Sequence, residues 1–161
     1  MIIMIKADKW KNSDIIANYK NHVLNNKLIK RCFMKDNFKH ADLTQLIIKA
    51  YYNVYNKLGF GFLEKVYENS MMIELKKLGL NCEKQVAIKV YYDSDMVGDY
   101  FADIVVNNVV IIELKAAESL CEEHEIQLVN YLKATNIEVG ILLNFGKKAE
   151  FKRKVLTNDY K

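Results

Sequence analysis

Hydrophobic residues recur every three to four positions in two consecutive stretches of the chain, which is the period of an α-helix. The first stretch runs from Ala41 to Leu58 and ends at Gly59-Phe60-Gly61, a segment that terminates a helix. The second runs from about Phe62 to Leu78. Residues 8–31 show a weaker helical pattern, and a break falls around residues 35–40. In the second helix the positions expected to face the core are Leu63, Val66, Tyr67, Ser70, Met71, Ile73, Leu75 and Leu78.

After the second helix, β-branched and aromatic residues occur in shorter runs that are typical of β-strands. Strands are predicted at about Glu83–Tyr92, on both sides of Asn107-Asn108, and at Val139–Phe145. A helix is predicted at about Cys121–Thr135, and the basic tail from Lys147 adds a short helix or a strand. The order ααβββαβ predicts an α/β (α+β) domain in which helices flank a mixed central sheet.

The strands on either side of the asparagine pair carry three charged residues, Asp103, Glu113 and Lys115, among apolar neighbours. Charged side chains are costly to bury unless they are paired or bind an ion. Two carboxylates can bind a hard cation, and a cation with a lysine can polarise a phosphoryl oxygen and activate water. The pattern predicts a site for metal-assisted hydrolysis, and the alternative is two exposed strand ends with solvated charges.

The loop of this hairpin decides whether the two acids share a face, because side chains alternate between faces along a strand. A two-residue turn at Asn107-Asn108 would place Asp103 and Glu113 on opposite faces. A three-residue loop, Val106-Asn107-Asn108, would pair Asp103 with Ile111 and place the two acids on the same face. We therefore predict a type I turn with a bulge at Asn108, since Asn tolerates positive φ.

Polar residues on two of the predicted helices are candidates to complete the site. His124, Gln127 and Tyr131 lie along one face of the helix that follows Lys115. Gln127 is a candidate to hold Lys115 or a phosphate, and Tyr131 to orient a phosphate or stack on a base. Glu64, on the second helix, is a candidate for another metal-binding carboxylate. The alternative for each is an ordinary surface or core position on its helix.

The net charge of +4 is unevenly distributed along the 161 residues. Residues 1–39 hold nine Lys and Arg against three Asp, whereas residues 40–161 hold 15 basic residues against 17 acidic ones. We therefore expect a basic N-terminal extension at 1–39, helical or poorly ordered, before a domain at 40–161. The extension either contacts phosphates, or is a poorly ordered leader, or is sequence upstream of a true start at Met34. The slightly acidic domain argues against a broad, high-affinity nucleic-acid surface.

Composition and cysteine usage favour an intracellular protein. The chain has no run of 18 apolar residues, and its first ten residues hold too short an apolar stretch for a signal peptide. Its three cysteines, Cys32, Cys82 and Cys121, are odd in number and far apart, as expected of free thiols in a reducing cytoplasmic or nuclear compartment. No membrane association is expected. The sequence does not decide whether the protein forms a homo-oligomer.

Several motifs in order resemble the GxxExxY family of the PD-(D/E)XK nuclease superfamily, over roughly residues 41–155. Gly61 to Tyr67 has the pattern G-x-x-E-x-x-Y. The other matching motifs are Tyr100-Phe101-Ala102-Asp103, Ile112-Glu113-Leu114-Lys115-Ala116, the helix segment His124 to Lys133, and Leu142-Leu143-Asn144-Phe145-Gly146.

The resemblance implies a restriction-endonuclease-like core that binds Mg²⁺ or Mn²⁺. By position, Asp103 and Glu113 would be metal ligands, and Lys115 would stabilise the pentavalent phosphate or orient the water. Glu64 would be the first-helix acid that supports the metal site. Gln127 and Tyr131 match the Q-x-x-x-Y element of recombination-repair exonucleases, where they would position phosphate and substrate.

We therefore expect a metal-dependent nuclease that hydrolyses phosphodiester bonds in DNA. The alternative is a non-catalytic module that binds nucleic acid or a protein on the same fold, which the nearly neutral domain favours. A third candidate is a hydrolase acting on RNA or another phosphodiester.

Overall fold

The structure, a computed structural model, describes residues 39–161. The weak helical pattern at 8–31 and nearly all of the expected basic extension, together with Cys32, lie outside the described residues. The described residues form the following elements: helices α1 (Ala41–Leu58), α2 (Glu64–Lys77) and α3 (Glu122–Lys133), strands β1 (Cys82–Tyr92), β2 (Asp95–Val106), β3 (Val110–Lys115), β4 (Val139–Phe145) and β5 (Ala149–Val155), and a short 3₁₀ helix (Asn158–Tyr160).

The five strands form one mixed sheet in the order β1-β2-β3-β4-β5. Neighbouring strands are antiparallel except β3 and β4, which run parallel and are joined through α3. A parallel pair requires such a crossover, because a tight turn can only reverse the chain. The predicted α+β class and mixed sheet are confirmed, and the basic tail supplies a fifth strand.

Helices cover both faces of the sheet and create two apolar clusters. On one face, α1 and α2 pack on the sheet through buried side chains such as Ile47, Met71 and Leu114. On the other face, α3 packs Leu128 and Leu132 against the sheet. Along β3, Ile111 belongs to the α3 side, so Glu113 and Lys115 point to that side as well.

The β2–β3 turn has the face relationship that the sequence predicts, but with a different loop. The ladder pairs Val106 with Val110, so the three-residue loop is Asn107-Asn108-Val109, one position later than expected. Asn107 and Asn108 both have positive φ, at 50° and 57°, which is typical of a type I′ turn and not of a type I turn. The predicted bulge at Asn108 is wrong, because both asparagines accept the left-handed conformation and the extra residue is Val109. The odd loop length still places the two acids on one face.

Helix α2 buries only part of the stripe expected: Tyr67, Met71 and Leu75 are buried as predicted. Leu63, Val66 and Ile73 are exposed, whereas Glu68 and Glu74 are buried. The buried glutamates are paired: Glu74 contacts Lys57 and Lys77, and Glu68 contacts Lys65 and Gln85. These partners allow carboxylates to occupy positions that an apolar pattern alone assigns to hydrophobic residues.

Two further expectations concern the membrane and the cysteines. None of the helices within residues 39–161 combines the length and apolar character that crossing a bilayer requires. Cys82 and Cys121 are free thiols.

Candidate active site

The site begins at a break in the β1–β2 ladder. Lys84 pairs with Ile104 and Val86 pairs with Ala102, but Gln85 and Asp103 between them are not paired, and Gln85 has a φ of 54°. At this break the Asp103 side chain reaches across to β3, where its Oδ2 accepts a 2.7 Å hydrogen bond from the backbone N–H of Leu114. Asp103 is thereby held beside the strand that carries the second acid.

Glu113 and Lys115 point to the same side of β3 and form an ion pair. Lys115 Nζ donates a 2.8 Å hydrogen bond to Glu113 Oε1. Glu113 is 3% exposed, and its second oxygen, Oε2, is buried with no hydrogen-bond partner. A buried, unpaired carboxylate oxygen is costly, so this atom is available to a ligand that supplies positive charge.

Burial and mutual repulsion shift the proton equilibria of these groups. Burial, and then the nearby charge of Asp103, raise the pKa of Glu113 to about 7 although Lys115 opposes the shift. Burial also raises the pKa of Asp103, against the hydrogen bond from Leu114. Burial by itself would lower the pKa of Lys115, but the hydrogen bond to Glu113 and the surrounding carboxylates leave that pKa raised. The site therefore holds a protonated lysine beside acids that resist ionisation.

Glu64 comes to the site from the first turn of α2. Its Oε1 accepts a 3.2 Å hydrogen bond from the N–H of Ala116, the residue that follows Lys115. The charge of Glu64 also acts on Asp103, Glu113 and Lys115. The structure thus brings the predicted first-helix acid to the same place as the hairpin residues.

The tyrosine three positions after Glu64 explains the turn that begins α2. Tyr67 is fully buried, its hydroxyl donates to the Gly59 carbonyl at 3.0 Å, and it accepts from the Phe62 N–H at 3.1 Å. Its ring stacks on Phe145 at 4.1 Å between centroids and 12° between planes. Tyr67 therefore fixes the helix start that presents Glu64 and ties it to the end of β4.

Two further residues of the site, Glu68 and Gln85, are absent from the set predicted from sequence. They are hydrogen-bonded to each other, and Gln85 Nε2 also lies 3.4 Å from Asp103 Oδ1. Both residues line a cleft of about 270 Å³ together with Glu64, Lys65, Asp103 and Leu114. The spacing of Glu64 and Glu68 on one helix face was a signal for Glu68, whereas no local pattern marks Gln85.

Helix α3 supplies the polar pair predicted beside the acids. Gln127 Nε2 donates a 2.7 Å hydrogen bond to Tyr131 Oη. Burial raises the pKa of Tyr131, the bond from Gln127 opposes this shift, and the charges of Glu113, Lys115 and Asp103 also act on the hydroxyl. Tyr131 therefore borders the acids, whereas His124 accepts from the Cys121 N–H and caps its own helix.

The end of β4 fixes the loop that follows Lys115. Asn144 is fully buried, and its amide accepts from the Ala117 N–H and donates to the Ala117 carbonyl, both at 3.0 Å. A Cβ built on Gly146 would lie 2.0 Å from the Ala117 oxygen, so only glycine permits this approach. The Asn-Phe-Gly segment, singled out in the sequence without a role, therefore holds the chain between Lys115 and α3.

The donor set is chemically suited to a hard divalent cation. Oxygen ligands and carboxylates are what Mg²⁺ prefers, and it is usually held by one or two carboxylates, with water and substrate phosphate completing its coordination. The unpartnered Oε2 of Glu113 and the raised pKa of Asp103 both indicate carboxylates that a cation would stabilise. Within residues 39–161 no three His, Cys, Asp or Glu side chains form a cluster able to hold a metal by themselves. The protein would thus supply only part of the coordination shell.

Comparison with known proteins identifies one family. The family model of the PD-(D/E)XK nuclease superfamily matches residues 41–154, which include all of the site residues described above. Among solved structures, the crystal structure of SSO0001 is similar at 20% sequence identity and a TM-score of 0.47, covering 73% of this chain and 59% of that chain. The chain thus spans less than two thirds of the length of that structure. No curated protein matches the chain.

Proposed function

The chain belongs to the PD-(D/E)XK nuclease superfamily, and from this premise we propose that it is a metal-dependent nuclease that hydrolyses phosphodiester bonds in DNA. The observation that carries the proposal is the buried Glu113 carboxylate, with Lys115 on one oxygen and no partner on the other. The charges of Asp103 and Glu64 also act on Glu113 and raise its pKa. An acidic group of this kind has no evident structural role, because it costs folding energy where it stands.

The proposal gives each residue a part in the reaction. Asp103 and Glu113 would hold the cation, with Glu64 supporting it directly or through water. The cation, Mg²⁺ or Mn²⁺, would polarise the phosphoryl group and lower the pKa of the attacking water when bound. Lys115 would place its positive charge against a non-bridging phosphate oxygen as negative charge develops there.

Gln127 and Tyr131 would position the phosphate. Because Gln127 Nε2 already donates to Tyr131 Oη, the hydroxyl proton of Tyr131 is left to donate elsewhere. A phosphate oxygen beside Lys115 is a suitable acceptor. Loss of either residue should therefore weaken catalysis less than loss of Lys115.

We also assign the chain to the GxxExxY group within the superfamily. The support is that two residues of the Gly61–Tyr67 motif act at the site: Glu64 accepts a hydrogen bond from the Ala116 N–H, and Tyr67 holds the turn that begins the helix. On this reading the motif builds a carboxylate-bearing helix start.

A second candidate function is a non-catalytic module that binds nucleic acid or a protein. The slightly acidic balance of residues 40–161, with 15 basic against 17 acidic residues, favours a protein partner within this alternative, because high-affinity nucleic-acid surfaces are strongly basic. The two candidates differ in turnover, since a binding module forms a complex without product.

The test is a cleavage assay on DNA and RNA of the same sequence, each single-stranded and duplex, with Mg²⁺, Mn²⁺ or EDTA. DNA products that require the metal support the proposal. Cleavage of RNA alone would replace the substrate class but keep the site. Complex formation without product in any metal would favour the binding module.

A further inference from the structure

We propose that Tyr100 stacks on an unpaired nucleobase next to the scissile phosphate, and that the enzyme therefore selects DNA that is single-stranded at the cut. This inference rests on the proposed nuclease function and adds the substrate form to it. It is carried by the position of Tyr100 between the catalytic acids and an exposed two-stranded ribbon, which is the part of the β1–β2 hairpin at residues 87–101.

Tyr100 stands beside the site on the strand that carries Asp103. It lies three residues before Asp103 in β2, and its ring centroid is 6.2 Å from that of Tyr131, with 47° between the planes. Tyr131 is 6% exposed and is under the influence of the charges of Glu113 and Asp103, whereas Tyr100 is 52% exposed. The pair thus forms an aromatic edge that leads from the acids to solvent.

The backbone of the ribbon leaves room for the ring of Tyr100 at Gly98. A Cβ built on Gly98 would lie 2.8 Å from Cε2 of Tyr100, so the ring rests where a side chain at Gly98 would stand. The cross-strand partner of Tyr100 is Ile88, which is 2% exposed. Tyr100 is supported by these neighbours and still keeps half of its surface open, as a stacking platform requires.

The charge of the ribbon disfavours contact with a phosphate backbone. Between residues 87 and 101 the acidic residues Asp93, Asp95 and Asp99 outnumber the single basic residue, Lys89. A phosphate backbone that tracks along this ribbon would meet repulsion in a single strand and in a duplex alike, whereas a base carries no charge and has a flat face. Base–aromatic stacking also tolerates any sequence, because every base has a π-face.

Bases within a duplex are stacked on their neighbours and are not available to Tyr100. An unpaired base next to the cut can turn onto the ring without the unpairing and unstacking energy that a base in a duplex requires. The ring should therefore strengthen binding of single strands, flaps or frayed ends and leave the binding of intact duplex nearly unchanged.

The test compares wild type with Tyr100→Ala and with Tyr100→Phe, which keeps the ring. Tyr92→Ala is the control, since Tyr92 is an aromatic of the same ribbon that is 73% exposed. The substrates are one single-stranded oligonucleotide, its duplex, and the same single strand with an abasic nucleotide beside the cut. KM and kcat are measured with Mg²⁺. In a further single strand, 2-aminopurine replaces the base at the same position and reports stacking by its fluorescence.

We expect Tyr100→Ala to raise KM for the single strand about 5- to 150-fold, the range that corresponds to loss of one stacked base. The value of kcat and the duplex kinetics should change little, and Tyr100→Phe and Tyr92→Ala should match wild type. The abasic substrate should remove the difference between wild type and Tyr100→Ala.

Two results would overturn the assignment of Tyr100 and leave the nuclease intact: unchanged KM in Tyr100→Ala while wild type cuts DNA, or an equal loss on single strand and duplex, which would mark a structural role. Absence of both cleavage and DNA binding in wild type would overturn the nuclease function itself, and this inference with it.

Discussion

Lys115 Nζ lies 2.8 Å from Oε1 of Glu113, while the other oxygen of that carboxylate is buried without a partner. One oxygen of the Glu113 carboxylate is thus paired with a positive charge, and the other oxygen is not. On the proposed function, this carboxylate is retained because it binds a cation. A role in stability explains it less well, because a buried ion pair seldom stabilises a protein more than apolar residues of similar volume would.

The pH dependence of folding should reveal Glu113 when the metal is removed. Its pKa of about 7 in the folded protein exceeds the ordinary value of 4.5, so the unfolded chain releases the proton first as pH rises. The free energy of unfolding should therefore decrease, meaning lower stability, between about pH 4.5 and pH 7, by on the order of 3 kcal/mol. Urea unfolding in EDTA at several pH values measures the change.

Glu113→Gln is the matched variant for this titration, since it keeps the shape and removes the ionisable group. The difference in unfolding free energy between wild type and Glu113→Gln should change across the same pH window and level off above it. Parallel curves for the two proteins would show that Glu113 titrates normally.

Divalent metal should stabilise wild type more at pH 8 than at pH 6. Protonated carboxyl groups compete with the cation, and the pKa values of Glu113 and Asp103 are both raised. At a Mg²⁺ concentration 100-fold above its dissociation constant the gain is about 2.7 kcal/mol. Thermal unfolding with Mg²⁺ or EDTA measures it, and Glu83→Gln, an exposed acid of β1, is the control. A gain of the same size in Glu113→Gln would place the metal elsewhere.

Tyr67→Phe should destabilise the protein and slow cleavage. The change keeps the ring stack on Phe145 but removes the hydrogen bonds to Gly59 and Phe62 that hold the start of α2. We expect a loss of about 1 kcal/mol per lost bond, and lower kcat because Glu64 is no longer fixed. Tyr160→Phe, at a 70% exposed tyrosine, is the control. If Tyr67→Phe keeps wild-type stability and kcat, the turn does not depend on this hydroxyl.

Gly146→Ala should disturb the loop after Lys115. The added methyl group would meet the Ala117 carbonyl oxygen at 2.0 Å, so the loop must shift. We expect a loss of about 1 to 3 kcal/mol, together with reduced cleavage at temperatures where the variant remains folded. Chemical denaturation and single-turnover kinetics test the two effects separately. If the variant is destabilised but cleaves at the wild-type rate, the position of this loop does not affect catalysis.

The sequence predicted best those elements whose signal is local. Helix α1 and strand β4 have the predicted bounds, because each is a periodic or continuous apolar segment with turn residues on its flanks. The face shared by Asp103 and Glu113 also followed from the odd length of their loop. The position of that loop did not, because the sequence does not show whether one asparagine or both adopt positive φ, and in the structure both do.

What the sequence could not supply depends on partners far along the chain. The sequence around α2 has apolar residues on two sides of the helix, and only the packed structure decides that Leu63, just before the helix, and Val66 and Ile73 within it stay outside. Gln85 reaches Asp103 because of a local break in β1, which no pattern in that strand marks. The assigned roles of the site residues remain predictions until turnover is measured.

The most direct test of the central claim is cleavage of DNA by wild type and by Lys115→Ala, in Mg²⁺, Mn²⁺ and EDTA. Glu113→Gln serves as a second, isosteric variant, and Lys133→Ala, at an exposed lysine of α3, is the control. Circular dichroism establishes that each variant is folded. We predict cleavage that requires metal, is retained in Lys133→Ala, and falls at least about 100-fold in Lys115→Ala and Glu113→Gln. Cleavage in EDTA, or folded Lys115→Ala and Glu113→Gln variants that cut as fast as wild type, would contradict the assignment of this site.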